Sequence, residues 1–309
     1  MNLKSKDLLG MKELDKEEIE LILDTAAMMK VVLLSQNKKT SHLQGKSVVT
    51  LFYENSTRTR LSFEMASKFM GAASANISAS GSSVSKGESL IDTAKTIDVM
   101  ATDIIIMRHN QSGAPHFIAP HVEASVVNAG DGMNEHPTQA LLDMFTMREK
   151  FGTLENLEVA ICGDIYHSRV ARSNLIGLSK MGAKVRLSGP RTLLPVGLDD
   201  MGYTVHHDIR DAVSSVDVGM GLRLQLERQS KSLFPSVSEY AKYYGIGSKV
   251  LSLAKEGALV MHPGPCNHGV EMSTIVHEGD QSVIHEQVTN GVAIRMAILY
   301  LLVTRRNQQ

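Results

Sequence analysis

Residues 47–60 read SVVTLFYENSTRTR, and this stretch joins an apolar strand pattern directly to a helical one. The β-branched, apolar run from Val48 to Phe52 predicts a buried strand, and the helical pattern continues through Met70. Hydroxyl and guanidinium side chains fill the junction: Ser56, Thr57, Arg58, Thr59 and Arg60. A helix N-terminus presents unpaired N–H groups and a positive dipole end, and arginine matches phosphate oxygens. The junction therefore predicts an anion site.

A simpler interpretation of the same junction is a helix capped by Ser56 or Thr57, with its arginines solvated. Two arginines in the first turn of a helix are unusual, because the helix dipole disfavours cations there. The sequence thus favours the anion site over the cap alone. For Arg60 we expect a structural ion pair rather than a contact with the ligand.

Two later strand patterns in the first half of the chain also end in polar clusters. The patterns at 103–107 and 125–128 are followed by Arg108 and by a loop that leads to His136 and Gln139. The carboxyl ends of parallel strands lie on one edge of a sheet, where open α/β folds bind ligands. Neither a Walker lysine motif nor a carboxylate cluster for Mg²⁺ accompanies these residues. A phosphate held without metal beside His136 and Arg108 suits a small acyl phosphate better than a nucleotide.

Strand and helix patterns alternate again after residue 150, which predicts a second α/β unit. The strand patterns lie at 157–162, 184–188, 204–206, 216–222 and 258–261, and a closing helix is predicted at 290–303. Gly163 and Asp164 follow the first of these strands but lack the G-x-G-x-x-G spacing, which disfavours a dinucleotide cofactor.

Two separated arginines in this second unit indicate a ligand with two carboxylates. Arg169 lies in the first turn of a predicted helix, and Arg223, with Gln225 close behind it, follows a predicted strand. The alternative is a set of surface ion pairs, in which Arg169 pairs with Asp164, and Arg223 with Glu227 or Asp217. Combined with the anion site of the first unit, the two arginines favour a shared binding function.

Length and composition restrict the class of protein to which the chain can belong. A chain of 309 residues is too long for one ordinary core, so two domains are expected. Lys and Arg number 32 against 33 Asp and Glu, so no bulk charge indicates a nucleic-acid or membrane partner. The two cysteines, Cys162 and Cys266, lack metal-ligand spacing and suggest no disulfide framework. The absence of a signal peptide or a long apolar run predicts a cytoplasmic protein.

Taken together and in order, five motifs resemble the carbamoyltransferase family over nearly the whole chain. They are STRTR at 56–60, HPTQ at 136–139, GD with HSRVARS at 163–173, LRLQ with ER at 222–228, and HPGP at 262–265. The late motif has Gly264 where the ornithine branch usually has Cys, and the Ser-Met-Gly loop of that branch is missing. These details resemble the aspartate branch.

This resemblance implies an α/β fold of two doubly wound parallel-sheet domains joined by helices, with the active site in the cleft between them. Residues 1–147 would bind carbamoyl phosphate, and the closing helix at 289–309 would pack back on them. Residues 148–288 would bind L-aspartate. The implied reaction transfers the carbamoyl group of carbamoyl phosphate to the aspartate amine, an early step of pyrimidine biosynthesis, with no cofactor and no metal.

The resemblance also implies a role for each motif residue. The carbamoyl phosphate residues would be Ser56, Thr57, Arg58, Thr59, Arg108, His136 and Gln139, of which Arg58, Thr59, Arg108 and His136 would be catalytic. The aspartate residues would be Arg169, Arg223, Gln225, Pro263 and Gly264. Ser82 and Lys86 would reach into the site of a neighbouring subunit, so the resemblance implies a homotrimer with shared active sites, to which regulatory chains could bind.

Two departures from the family pattern accompany the resemblance. Many relatives carry Arg where this chain has His268, and bulky apolar residues where it has Gly219 and Gly221. The glycines are expected to loosen the strand end that presents Arg223, because glycine adds backbone freedom. Two other functions remain open at this point: carbamoyl transfer to ornithine or another amine, and a non-catalytic anion-binding assembly partner.

Overall fold

A computed structural model of the chain describes residues 2–78, 87–225 and 233–307. The chain separates into two compact units, one formed by Met1–Leu142 with Thr289–Gln309 and the other by Asp143–Val288. Each unit is built on its own parallel sheet. The predicted α/β architecture with two parallel sheets is therefore confirmed.

The first unit begins with a helix whose start is specified locally. Asp15 and Glu18 form a capping box, in which each side chain accepts a hydrogen bond from the backbone of the other residue. The elements that follow along the chain are α1 (Lys16–Leu34), β1 (Ser47–Phe52), α2 (Thr57–Phe69), β2 (Ala73–Ser78), α3 (Leu90–Val99), β3 (Ile104–His109), α4 (Ala114–Ile118), β4 (Ser125–Asp131) and α5 (Pro137–Phe151). Helix α5 continues into the second unit.

The strands of the first unit pair in the order β2-β1-β3-β4, all parallel. Because β1 leads outward to β2 on one side while β3 leads to β4 on the other, the winding direction reverses between β1 and β3. Doubly wound sheets bind ligands outside the carboxyl ends of the strands at such a reversal. Leu51, Ile105 and Val126 pack with Ala94 and Ile97 of α3 in a buried cluster.

The second unit repeats this arrangement with five strands. Its elements are β5 (Glu158–Cys162), α6 (Arg169–Lys180), β6 (Lys184–Ser188), β7 (Thr204–His206), α7 (Ile209–Val213), β8 (Val218–Gly221), α8 (Val237–Tyr244), α9 (Ser248–Leu251), β9 (Leu259–Met261), α10 (Thr274–His277) and α11 (Ile284–Arg306). The strand order is β7-β6-β5-β8-β9, again all parallel. The winding reverses between β5 and β8, so a second candidate ligand edge lies at the carboxyl ends of these two strands.

The two glycines of β8 do not break its strand. Gly219 pairs with Ala160 of β5 and Val260 of β9, and Gly221 pairs with Cys162. Methyl groups and a ring fill the space above Gly221, where an added Cβ would lie 3.2 Å from Met272 Cε and 3.4 Å from His262 Cδ2. The expected loosening is therefore countered by parallel pairing, on both sides at Gly219 and on the β5 side at Gly221.

Helix α11 closes the chain as a packed helix. By length and composition, α11 is the one helix among the described residues that could cross a membrane. However, 72% of its most apolar 18-residue window is buried inside the protein. Its buried Arg295 donates from Nη1 to the Gly291 carbonyl at 2.8 Å, and its guanidinium lies 5.0 Å from the centre of the Phe63 ring. The closing helix predicted at 290–303 is therefore present, with Arg295 buried in it.

Candidate active site

The predicted anion site lies at the reversal point of the first sheet. Phe52 at the end of β1 pairs with Arg108 of β3, and the Tyr53 N–H donates to the Arg108 carbonyl at 2.8 Å. Helix α2 then begins at Thr57, after the N-cap Ser56 and only a few residues beyond the end of β1. The strand end, the arginine and the helix N-terminus therefore meet at the edge where an open α/β sheet binds its ligand.

Ser56 is the N-cap residue of α2, but its side chain makes no capping hydrogen bond. The simpler interpretation, in which this hydroxyl serves the helix, is therefore wrong for Ser56. Thr57 and Arg58 are exposed while Thr59 is buried, and the first turn holds no acidic residue that would neutralise its positive end. This arrangement leaves hydroxyls, N–H groups and a guanidinium available to an anion.

Arg108 is held in place by groups that the sequence patterns did not single out. Its Nη2 donates to Glu54 Oε1 at 2.9 Å, its Nη1 donates to the Ala129 carbonyl at 3.3 Å, and its side chain is only 11% exposed. Glu54 lies where the β1 strand pattern stops, which is the one sequence signal that marked it. An arginine restrained in this way loses little further side-chain freedom when its remaining N–H groups bind a ligand.

His136 and Gln139 flank the start of α5, as predicted. Both are buried, and the His136 carbonyl accepts hydrogen bonds from the Gln139 and Ala140 N–H groups at 3.0 and 3.2 Å. Pro137 is the first helical residue, the position that tolerates its missing N–H. The Thr138 hydroxyl lies 3.4 Å from His136 Nδ1.

The loop before His136 is organised by a fully buried carboxylate that sequence reasoning missed. Asp131 accepts from the Gly113 and Glu135 N–H groups at 2.6 and 3.0 Å, and from the side-chain amides of Asn128 and Asn134 at 2.8 and 3.0 Å. A carboxylate that receives this many donors is stable in a buried position. Only the polar run after the predicted strand pattern at 125–128 hinted at this role.

In the second unit, Asp164 ties together the ends of β5 and β8. One carboxylate oxygen lies 2.8 Å from His167 Nδ1, and the other accepts from the Gln225 N–H at 3.3 Å. Gly163 makes this approach possible, because its φ is +135° and an added Cβ would lie 2.8 Å from the Leu222 carbonyl oxygen. The second reversal point is thus fixed by a buried carboxylate between its two strand ends.

The two predicted carboxylate-binding arginines lie on the elements that leave this reversal point. Arg169 is buried in the first turn of α6, after the N-cap Ser168, and Arg223 is partly buried just after β8. Of the alternative ion-pair partners, Asp217 precedes β8 and binds Lys255 Nζ at 2.9 Å, at the opposite end of the strand from Arg223. Glu227 lies outside the described residues, as do Ser82 and Lys86.

The late motif forms a tight turn around His262. Its Nδ1 accepts from the Gly264 N–H at 2.9 Å, which makes Nε2 the protonated nitrogen, 3.6 Å from Glu271 Oε1. The His262 N–H donates to Gln287 Oε1 at 3.0 Å, and Gln287 Nε2 donates to the buried Asp143 at 2.8 Å. This hydrogen-bonded chain positions the backbone of Pro263 and Gly264, and sequence reasoning missed it.

Neither cysteine is suited to act as a nucleophile. Both are free thiols, and burial raises the pKa of Cys162 to about 12. Burial, and then the nearby Glu271 carboxylate, raise the pKa of Cys266 to about 12. A thiol with such a pKa stays protonated at neutral pH, so covalent catalysis through cysteine is disfavoured. Cys266 does, however, belong to both groups of described residues that could hold a metal ion.

Comparison with known proteins identifies close relatives of both halves of the chain. Residues 6–149 match the family described as aspartate/ornithine carbamoyltransferase, carbamoyl-P binding domain, and residues 155–302 match its Asp/Orn binding domain. The aspartate carbamoyltransferase catalytic subunit of Ruminiclostridium cellulolyticum is 66% identical over 306 residues, covering 99% of this chain and 97% of the relative.

Solved structures of the same kind superpose on this fold. The aspartate transcarbamoylase of Trypanosoma cruzi, in complex with carbamoyl aspartate and phosphate, is 30% identical with a TM-score of 0.88, over 96% of each chain. The ornithine carbamoyltransferase of Pyrococcus furiosus is 28% identical with a TM-score of 0.86, over 97% of this chain and 98% of that chain. The backbone fold is therefore common to enzymes of both names.

Proposed function

The chain belongs to the aspartate/ornithine carbamoyltransferase family, and from this premise we propose that it transfers the carbamoyl group of carbamoyl phosphate to the amine of L-aspartate. The products are N-carbamoyl-L-aspartate and phosphate, in an early step of pyrimidine biosynthesis. The observation that carries the proposal is the cluster of hydroxyls and arginine at the N-terminus of α2, placed at the reversal point of the first sheet. The high identity with an aspartate carbamoyltransferase catalytic subunit supports aspartate as the acceptor.

The first unit binds carbamoyl phosphate in this proposal. The residues from Ser56 to Thr59 and the guanidinium of Arg108 hold the phosphate through hydroxyls, N–H groups and charge. Thr59, Arg108 and His136 donate to the carbonyl oxygen and stabilise the oxyanion as it forms. Gln139 holds the carbamoyl nitrogen. The fixed position of Arg108 between Glu54 and the Ala129 carbonyl supports these roles, because catalysis by hydrogen bonding requires donors that are already oriented.

The second unit binds L-aspartate. Arg169 takes the α-carboxylate, and Arg223 with Gln225 takes the side-chain carboxylate, through the paired N–H groups that arginine offers to carboxylates. The backbone at Pro263 and Gly264 positions the amine for attack. The Asp164 bridge to Gln225 and the turn around His262 support this assignment, because both restrict the segments that carry these residues.

The reaction then proceeds by direct attack. The lone pair of the neutral amine forms a bond to the carbonyl carbon, and the oxyanion develops among the donors of the first unit. The carbon–oxygen bond to phosphate breaks as the oxyanion collapses, and the leaving phosphate accepts the proton that the amine loses. Positioning and electrostatic stabilisation supply the rate enhancement, with no covalent intermediate on the protein.

We further propose that the protein is a cytoplasmic homotrimer whose active sites are shared between subunits. In each site, Ser82 and Lys86 come from a neighbouring subunit, and regulatory chains can bind the trimer. This part rests on the resemblance of the motifs alone, since the segment that carries both residues lies outside the described residues.

The proposed function is tested by measuring phosphate release from carbamoyl phosphate with a panel of amines. We expect turnover with L-aspartate and at most a trace with L-ornithine, because a second carboxylate is what Arg223 and Gln225 would bind. Turnover with ornithine alone would instead support the other acceptor. Binding of carbamoyl phosphate without turnover on any amine would support a non-catalytic assembly partner.

A further inference from the structure

Three metal-binding side chains converge in the second unit, apart from the residues proposed to bind substrate. They are Cys266 and His268, in the loop after β9, and His277, the last residue of α10. One potential ligand atom of each lies within 4.8 Å of the others, and the two imidazole rings lie 4.5 Å apart, edge to face. The sequence spacing gave no sign of this cluster, because the loop and the helix meet only in the folded unit.

The set of donors fits zinc. A thiolate and two imidazoles are the ligands that Zn²⁺ takes in proteins, and its tetrahedral bonds of about 2.0–2.3 Å place ligand atoms roughly 3.3–3.7 Å apart. Atoms already within 4.8 Å reach that spacing through small side-chain rotations. His268 is exposed and Cys266 and His277 are partly buried, so an ion can enter from solvent and the rings can adjust.

The backbone around the cluster is already fixed. The Asn267 N–H donates to Glu271 Oε1 at 2.8 Å, and the Gly269 N–H donates to the Met272 carbonyl at 2.8 Å. His268 itself forms an isolated parallel bridge with Met272. Because these bonds hold the loop that carries two of the ligands, little chain entropy remains to be lost when an ion binds.

Neighbouring carboxylates complete the environment that a metal site needs. His277 Nδ1 lies 2.6 Å from Glu278 Oε1, which leaves Nε2 to face an ion in the carboxylate–histidine–metal arrangement. Behind Cys266 lies Glu271, whose Oε2 is buried and has no hydrogen-bond partner within the described part of the chain. A buried carboxylate oxygen of this kind favours a positive charge nearby.

We propose that Cys266, His268 and His277 bind one Zn²⁺ ion per chain, with a water molecule in the fourth position. The ion would link the loop that follows Pro263 and Gly264 to the end of α10. Binding displaces the thiol proton of Cys266, since zinc coordinates the thiolate. The site is independent of the proposed carbamoyl transfer, and it makes use of His268, a residue at which this chain departs from the family pattern.

The test is a zinc titration of metal-free protein against a competing chelator, combined with visible and near-ultraviolet spectra of the Co²⁺-loaded protein. We expect one zinc per chain and a thiolate-to-cobalt charge-transfer band. Cys266→Ser should abolish the band, and His268→Arg and His277→Gln should each weaken zinc binding by at least about tenfold. Because His268 is exposed, His268→Arg should remain folded, which circular dichroism would verify.

The matched control is His285→Gln, which removes another exposed histidine of the same unit. It should leave the stoichiometry, the affinity and the cobalt band unchanged. The proposal is overturned if the parent protein binds no zinc at micromolar concentration. It is equally overturned if the Co²⁺ spectrum lacks a thiolate band, or if the three ligand variants bind zinc as tightly as the control does.

Discussion

At the scale of single residues, Glu54 and the Ala129 carbonyl both restrain the orientation of the Arg108 guanidinium. Lysine keeps the charge, but its single ammonium nitrogen cannot reproduce the planar guanidinium, which donates from two terminal nitrogens at once. We expect Arg108→Lys to lower kcat/KM for carbamoyl phosphate by about 10²–10³, the usual effect of losing an oxyanion donor. Steady-state kinetics would measure this loss. Arg60→Lys, at an exposed arginine of α2 that is not assigned to substrate, serves as the matched control. Equal activity of the two variants would contradict the assigned role of Arg108.

Replacing an arginine in the first unit should weaken binding of one substrate, and replacing one in the second unit should weaken binding of the other. Arg58→Ala removes a charge from the N-terminus of α2 and should raise the KM for carbamoyl phosphate by at least about tenfold. Arg223→Ala should raise the KM for aspartate by a similar factor while carbamoyl phosphate still binds. Equilibrium binding of each substrate to each variant distinguishes these effects. If Arg223→Ala weakened both substrates equally, its assignment to the aspartate carboxylate would be lost.

His109 gives the protein a specific pH dependence of stability. Burial lowers the pKa of His109 below 6.5. The negative charges of Asp131 and Glu54 raise this pKa, but their effect is smaller than that of burial. The unfolded chain therefore binds more protons than the folded one between the folded pKa and about 6.5, so the free energy of unfolding falls as the pH drops through that window. The contribution of one proton is at most about 1.4 kcal/mol per pH unit.

The prediction is tested with His109→Asn, because the asparagine oxygen can replace Nδ1 as the acceptor for the Gln111 N–H at 2.9 Å. Urea unfolding measured between pH 5 and 8 should show a flatter acid limb for this variant than for the parent. His285→Asn, at an exposed histidine, should reproduce the parent curve. Parallel curves for His109→Asn and the parent would show that His109 does not titrate in this way.

At the scale of elements, Gly219 and Gly163 near the second reversal point should respond in opposite ways to substitution by alanine. An added Cβ at Gly219 would meet nothing closer than the Leu259 carbonyl at 4.0 Å, and its φ is not positive. We expect Gly219→Ala to raise the free energy of unfolding by about 0.5–1 kcal/mol, because it reduces the freedom of the unfolded chain. Gly163→Ala should lower it by about 1–3 kcal/mol, since its φ is +135° and Leu222 blocks the methyl group. Chemical denaturation of both variants checks the signs, and a loss of stability in Gly219→Ala would contradict this account of β8.

The strands and long helices were predictable because each carries its own local signal. The Asp15–Glu18 capping box marked α1, and the change from a strand pattern to a helical one at residue 57 marked β1 and α2. Helix α3 likewise begins at Leu90 with a local signal, because Ser89 caps it by accepting from the Asp92 N–H. The short helices α4, α7, α8, α9 and α10 were not predicted, since eight residues or fewer are too short to show a helical period.

The groups that hold the candidate site in place could not be found in this way. Asp131, Asp164 and Gln287 act through hydrogen bonds to residues that the sequence does not place beside them. In the sequence, a carboxylate that will be buried cannot be distinguished from a surface one, because its hydrogen-bond donors come together only in the fold. The ligand-contacting arginines were easier to identify, because their positions at strand ends and first helical turns follow from element order.

At the scale of the whole molecule, the two sheets share one plan: each is parallel, each reverses its winding once, and each reversal carries residues assigned to a substrate. The proposal adds that one site is completed by Lys86 of a neighbouring subunit. At a carbamoyl phosphate concentration well below the raised KM of Arg58→Ala, a chain with Arg58→Ala and a chain with Lys86→Gln would then each form homotrimers of low activity. A trimer that mixes them would hold some sites with Arg58 and Lys86 both intact, because each residue comes from a different chain.

We therefore expect the two low-activity variants, assayed at this low substrate concentration, to recover part of the parent activity after they are unfolded together and refolded. Random mixing of three chains distributes intact sites among the hybrids, so activity should rise and then fall with the mixing ratio, with its maximum near equal amounts. The control pairs Arg58→Ala with Arg108→Lys, both of which damage the carbamoyl phosphate residues of the same chain. Under shared sites this pair cannot assemble a complete site, because each chain lacks one of the residues that must act together. Recovery in the control, or none in the Lys86→Gln mixture, would show that the sites are not shared in the proposed manner.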